Sequence, residues 1–127
     1  MIIIVIGLPC SGKTTFLNSL KGYEIFDDFL SNMYDGHLLD ALESKKNVCV
    51  ADPRLCTFDT FKKHVKIFES YGKVLLILFE NNLDKCLKNL KSRGGKDISK
   101  EIGYFHQVYN LYRYKEWTHL ILDVKCL

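Results

Sequence analysis

Residues 7–14 read Gly-Leu-Pro-Cys-Ser-Gly-Lys-Thr, and no other stretch constrains the chain as strongly. They fit the pattern G-x-x-x-x-G-K-[ST] at every fixed position. An apolar run, Ile2-Ile3-Ile4-Val5-Ile6, precedes them, and a segment of helical character, Thr15 to Lys21, follows. Strand, glycine-rich loop and helix in that order make a cradle for phosphate. Gly7 and Gly12 let successive backbone N–H groups converge on one anion, and the helix start adds the positive end of its dipole. On this reading Lys13 brings a mobile positive charge to the outer phosphates, and the Thr14 hydroxyl is a ligand for Mg²⁺. Gly7, Pro9, Cys10, Ser11, Gly12, Lys13, Thr14 and Thr15 are the expected nucleotide-binding residues.

Past the loop, strand and helix patterns alternate. Tyr23 to Phe26 is a short apolar run ending in Asp27-Asp28, and a weak helical pattern covers Tyr34 to Glu43. Asn47 to Ala51 reads as a buried strand that stops at Asp52-Pro53, where proline forces a turn. Phe58, Phe61, Val65 and Phe68 make one apolar stripe on a helix from Phe58 to Tyr71, with Thr57 as N-cap and Gly72 after its end. Lys73 to Phe79 is continuously apolar, as a strand covered on both faces must be. Asn82 is placed to cap a helix that buries Leu83, Cys86, Leu87 and Leu90, and Arg93-Gly94-Gly95-Lys96-Asp97 then breaks the pattern as a mobile loop. A long helix is expected from Ser99 to Lys115, with Ile102, Phe105, Tyr109 and Tyr112 in register, and a last strand from Thr118 to Val124. The alternation predicts an α/β fold: a five-stranded parallel sheet with helices on both faces, in a single domain spanning 1–127.

A chain of 127 residues can bury one core but not two. Its formal charge of +3 is too small to argue for nucleic acid by itself. The five cysteines show no metal-ligand spacing, which points to reduced thiols. The four histidines likewise lack metal spacing or a nucleophile partner. No secretory leader is visible and no run approaches the ~20 apolar residues that cross a bilayer, so a cytoplasmic protein is expected.

Ligands of open parallel sheets bind beyond the carboxyl ends of the strands. After the loop, the residues there are Asp27-Asp28, Asp52-Pro53-Arg54 and Glu80. Two of the three arginines, Arg54 and Arg93, fall at this rim or in the loop above it, and arginine suits bidentate contact with phosphate. A GTPase is disfavoured, since there is no N-K-x-D motif and no D-x-x-G follows a strand. Phosphoryl transfer from ATP remains; it calls for Mg²⁺, cationic clamps and, for a hydroxyl acceptor, a base. Asp52, ending a buried strand, is a candidate for the metal. Arg54 is a candidate clamp for the acceptor.

Ile6 to Thr15 resembles the loop of the small P-loop kinases related to the nucleoside monophosphate kinases and the phage polynucleotide 5′-kinases. Phe26-Asp27-Asp28-Phe29 is similar to their Arg-Asp-Asp-aromatic segment, with Phe26 and Leu30 where that family carries arginines. The resemblance implies that Asp27 is the base on the acceptor hydroxyl and that Asp28 contacts the acceptor, although either aspartate fits either role. Leu90-Lys91-Ser92-Arg93 with Ile98 to Ile102 resembles the lid of these kinases, at about 91–100, and implies that Arg93 carries charge to the transferring phosphoryl group, helped by Lys96. ATP and Mg²⁺ are the implied cofactors. The implied acceptor is a nucleoside, a nucleotide or a nucleic-acid end, a polynucleotide 5′-hydroxyl first. A small-metabolite kinase and a non-catalytic nucleotide-binding module are the alternatives. A hydroxyl acceptor would make a base useful, whereas a phosphate acceptor would need cations such as Arg54 instead.

Overall fold

The computed structural model describes residues 1–32 and 34–126. Its strands are β1 (Ile2–Ile6), β2 (Glu24–Asp27), β3 (Val48–Ala51), β4 (Val74–Phe79) and β5 (His119–Leu122). Its helices are α1 (Lys13–Ser19), α2 (Gly36–Glu43), α3 (Phe58–Glu69), α4 (Leu83–Arg93) and α5 (Ser99–Val108). Short 3₁₀ turns occupy Phe29–Asn32, Pro53–Cys56 and Leu111–Tyr114. Among the described residues the strands form one parallel sheet in the order β2-β3-β1-β4-β5. The five-stranded parallel architecture read from the alternation is therefore the observed one.

Burial follows position in that sheet. Every residue of β1 and β3 is buried, which is why those segments read as unbroken apolar runs. The edge strands β2 and β5 expose most of their residues, including Leu120 and Ile121 of β5. Register aligns the functional ends: Val5 of β1 and Asp27 of β2 both stand beside Ala51 of β3. The phosphate loop, the Asp27-Asp28 pair and Asp52 thus leave the sheet at one edge.

The long helix expected from Ser99 to Lys115 is two elements. The Asn81 side-chain amide donates to the carbonyls of His106 (2.9 Å) and Tyr109 (3.0 Å), satisfying groups that a continuing helix would have used. Tyr109 turns extended and its hydroxyl donates to the Phe79 carbonyl, so α5 ends pinned to the end of β4. The 3₁₀ turn that follows buries Tyr114 against Phe58 and Phe61, with the Arg113 guanidinium 4.0 Å from the Phe58 ring centre. Aromatic spacing that suits one helix serves equally well for a helix, a break and a turn.

Candidate active site

The loop from Gly7 to Gly12 connects β1 to α1. Gly12, the N-cap of α1, takes a left-handed conformation (φ 103°) that glycine adopts without steric cost, and Cys10 is also left-handed (φ 65°). Gly7 is needed for a different reason. A Cβ there would meet Ser11 Oγ at 2.8 Å and Phe79 Cβ at 2.9 Å, so the requirement is space rather than backbone angle. The Lys13 side chain is buried along the loop, and its ammonium donates to the carbonyls of Gly7 (2.7 Å) and Leu8 (2.8 Å). Burial lowers its pKa, while Cys56, Asp27 and other acidic groups nearby pull the other way. A partly desolvated cation held only by neutral carbonyls is poised for a stronger anionic partner.

The Asp27 carboxylate lies across from this loop. Its Oδ2 accepts from the Thr14 hydroxyl at 3.0 Å, and its Oδ1 accepts from the Asp28 backbone N–H at 3.0 Å. Asp28 adopts the left-handed region (φ 51°), which turns the chain sharply after β2 and sends it into the 3₁₀ turn. Asp28 sits at the cavity mouth, exposed on one side. Desolvation by the walls on its other side raises its carboxyl pKa; the charges of Asp27 and Asp52 add to the rise, and Lys13 and Arg54 oppose it. A carboxylate raised in this way is a better proton acceptor than an ordinary one.

Asp52, expected at the metal, is committed elsewhere. It is fully buried, and its oxygens accept from Arg54 Nε (2.8 Å), Arg54 Nη2 (2.8 Å), the Arg54 backbone N–H (2.9 Å) and the Leu30 backbone N–H (3.1 Å). Arg54 Nη2 also donates to Ser31 Oγ at 2.8 Å. Asp52 therefore ties the turn after β2 to the turn after β3, and Arg54 is chiefly its counter-ion. The hydrogen bond between them raises the guanidinium pKa further. Both residues belong to the frame beneath the site, and the oxygen pair best placed for a hard cation is Thr14 Oγ1 with Asp27.

One cavity of about 430 Å³ gathers Lys13, Thr14, Asp27, Asp28 and Arg93. Pro9, Cys10, Gly12 and Thr15 line it as well, whereas Gly7 and Ser11 lie beneath the loop. Of the acceptor-side residues, Pro53 reaches it and its neighbours Asp52 and Arg54 do not. Arg93 is the last residue of α4, and Gly94 (φ 71°) and Gly95 (φ 86°) follow in left-handed conformations. The opposite wall comes from α5, through Ile98, Glu101 and Phe105.

Several working residues were not picked out by the sequence patterns. Phe105 had the periodicity of a core residue, and nothing in its spacing marks it as a cavity wall. Glu101 fell within the segment that resembles the lid region, but nothing singled out its side chain. Buried Asn89 of α4 donates to the carbonyls of Cys10 (3.0 Å) and Lys125 (2.8 Å), holding the loop to the chain beyond β5. A lone asparagine on an apolar helical face, between Cys86 and Leu90, was the available signal. The histidines have structural partners or are exposed: His64 bonds Tyr34, His106 bonds Asn81, and His119 bonds the Trp117 carbonyl. Among the described residues no group of three or more His, Cys, Asp or Glu side chains is arranged to hold a metal ion. None of the described helices is long and apolar enough to cross a membrane.

No family profile matches the sequence. An uncharacterized protein of Acanthamoeba polyphaga mimivirus is 36% identical over 132 residues, covering 97% of this chain and 96% of the relative. Among solved structures, a gluconokinase from Sinorhizobium meliloti superposes with a TM-score of 0.69 at 12% identity, over 98% of this chain and 83% of its own. A shikimate kinase from Bacteroides thetaiotaomicron does so with a TM-score of 0.51 at 16% identity, over 98% of this chain and 86% of its own. At these identities the likeness is one of fold, and the fold is that of P-loop kinases.

Proposed function

The chain belongs to one family with the mimivirus protein, and we propose that it is an ATP- and Mg²⁺-dependent phosphotransferase acting on a hydroxyl group of a small molecule. The contact between Thr14 and Asp27, with Asp28 next to it in the cavity that holds Lys13 and Arg93, carries this reading. Thr14 and Asp27 offer the hard oxygens that Mg²⁺ takes when most of its shell comes from water and substrate phosphates. That donor set fits the ion. When bound there, Mg²⁺ would supply charge neutralisation at the phosphates.

The chain's own residues have distinct tasks. The loop amides and Lys13 hold the outer phosphates of ATP. Asp28, with its raised pKa, takes the proton from the acceptor hydroxyl, and Asp27 serves the metal. The sequence had favoured Asp27 as the base, Asp28 as an acceptor contact and Asp52 at the metal; the Thr14 contact and the raised Asp28 carboxyl support giving the metal to Asp27 and the proton to Asp28. Arg93 brings positive charge to the transferring group from a lid at about 91–100, hinged at Gly94-Gly95, within a single kinase domain of residues 1–127.

A hydroxyl acceptor is favoured over a phosphate by charge. Two adjacent carboxylates face the cavity, and Arg54 is already paired with Asp52. Like charges about 4 Å apart near a protein surface repel by about 4 kcal/mol, a cost that a phosphorylated acceptor would carry while the cavity's own cations, Lys13 and Arg93, are engaged with ATP. The likeness to gluconokinase and shikimate kinase folds also supports a small-molecule acceptor over a polynucleotide.

A polynucleotide 5′-hydroxyl is the second reading, and charge placement favours it. Residues 84–101, which supply Arg93, Ile98 and Glu101 to the cavity, hold six basic and three acidic side chains, a net charge equal to that of the whole chain. The two readings separate in one experiment, a panel of small-molecule and oligonucleotide acceptors with γ-labelled ATP at two salt concentrations. Label on a small hydroxyl compound, with weak salt dependence, supports the first. Label on oligonucleotide ends with steep salt dependence supports the second. ATP binding without transfer to any acceptor class would leave a nucleotide-binding module.

A further inference from the structure

We infer that the acceptor sits in a side pocket at the free edge of β2 and is a small hydroxyl compound without negative charge. This rests on the kinase reading above and adds the place and class of its substrate. A pocket of about 190 Å³ lies beside the main cavity, lined by Phe26, Asp27, Phe29, Asn32, Asp35 and Leu38. Asp27 lines both spaces, which puts the pocket next to the one assigned above to the phosphoryl donor and its metal.

Size and lining select the occupant. Ligand pockets for drug-sized molecules run to about 300–1,000 Å³, so this one takes a single small ring or a short polyol rather than a nucleotide. Phe26, Phe29 and Leu38 offer apolar walls for a carbon–hydrogen face. Asn32 offers an amide for hydroxyl groups. Asp35 caps α2 through Oδ1, which accepts the Leu38 N–H at 3.1 Å, and its negative charge remains at the pocket wall. No lysine or arginine is among the described lining residues. Arg54, on the turn after β3, has Nε and Nη2 on Asp52 and Nη2 also on Ser31. Carboxylates at Asp27 and Asp35 thus meet an acceptor with no cation among the described residues lining this pocket, which disfavours hydroxy acids and phosphate esters and favours neutral or amine-bearing alcohols.

Three hydroxylated six-membered rings of similar size test this with the full chain, ATP and Mg²⁺: streptamine (cationic), myo-inositol (neutral) and quinate (anionic). Streptamine and myo-inositol are expected to show kcat/KM at least about tenfold above quinate. Asp35→Asn keeps a good N-cap for α2 and removes the charge. It should lower the ratio of kcat/KM for streptamine to that for myo-inositol by about 2- to 5-fold, with the melting temperature unchanged. Quinate used as well as or better than the other two overturns the inference while the kinase reading stands, and so does a variant that affects all three alike. Label transferred only to compounds outside this size class also overturns it. Failure of the protein to bind ATP with Mg²⁺ is the distinct failure of the kinase reading itself.

Discussion

The donor end and the acceptor end of the cavity are built on opposite terms. On the proposed reading, the groups that would meet phosphate at the donor end are mostly main-chain N–H groups on a loop rooted in β1, every residue of which is buried, with one lysine folded in among carbonyls. At the acceptor end they are side chains, Asp27 and Asp28, on an edge strand that is largely exposed. A main-chain cradle recognises one chemical group and hardly depends on its neighbours. A side-chain site on an edge takes its specificity from the turns packed around it, here held by Asp52 and Arg54. One fold can therefore keep a fixed donor while its acceptor changes.

The largest effect should separate the two ends. Asp28→Asn is expected to lower kcat by about 10²- to 10⁴-fold, the usual worth of a positioned base, with the ATP dissociation constant unchanged by calorimetry. Lys13→Ala should do the reverse, weakening ATP by about 10- to 100-fold, as loss of a charge-assisted contact would. If both substitutions alter ATP affinity equally, the division between the ends is lost.

A steric test probes the donor end alone. Gly7→Ala should cost about 1–3 kcal/mol in chemical denaturation, because the new methyl meets the Phe79 Cβ as well as the movable Ser11 hydroxyl. A tolerated alanine would mean that the loop has slack.

The acceptor end should answer to pH. Partial burial first, and then Asp27 and Asp52, hold the Asp28 carboxyl above its ordinary value of about 3.9. The ionised, base-competent form is lost as pH falls through that raised value, so the acid limb of kcat/KM should lie above the ordinary carboxylate range. Asp27→Asn should shift the Asp28 titration downward in the metal-free protein, read by carboxyl NMR, yet leave it raised because burial is the larger cause. The linked stability has the opposite sense. A carboxyl raised by folding contributes most below its unfolded pKa, and that contribution is lost as pH rises through the folded value.

The smallest effect concerns α5, which supplies the wall with Ile98, Glu101 and Phe105. Gly103 lies inside α5, and a Cβ there meets nothing within 4 Å, so no close approach accounts for it. Gly103→Ala should stabilise the protein by about 0.5–1 kcal/mol in thermal melts. A loss of activity at unchanged affinity would indicate that α5 must flex for the lid to move.

Much of the fold was legible because its physics is local. Unbroken apolar runs could only be strands covered on both faces, the stripe of α3 had helical spacing, and Asn82 caps α4 by accepting the Lys85 N–H. The end of α5 was not legible, since the Asn81 amide that takes its carbonyls is 25 residues distant from His106. The site divides in the same way. Gly12, Lys13 and Thr14 declare themselves within an eight-residue pattern. Asp52 misled because a carboxylate ending the strand beside β1 looks like a metal ligand until the Arg54 fork and the Leu30 amide are seen on it.

From sequence alone, then, came the phosphate cradle, the parallel sheet and the set of charged residues at its carboxyl edge, because each depends on neighbours a few residues apart. Tertiary structure alone decided which of those charges are free. Asp27 and Asp28 reach the cavity while Asp52 and Arg54 neutralise each other beneath it, and that sorting depends on how three turns from different strands meet in space. A carboxylate becomes a ligand, a base or a tie according to what lies within about 3 Å of it. The Arg54 fork on Asp52 is local, but the Leu30 amide on Asp52, the Ser31 hydroxyl on Arg54 and the Thr14 hydroxyl on Asp27 join residues 22, 23 and 13 positions apart.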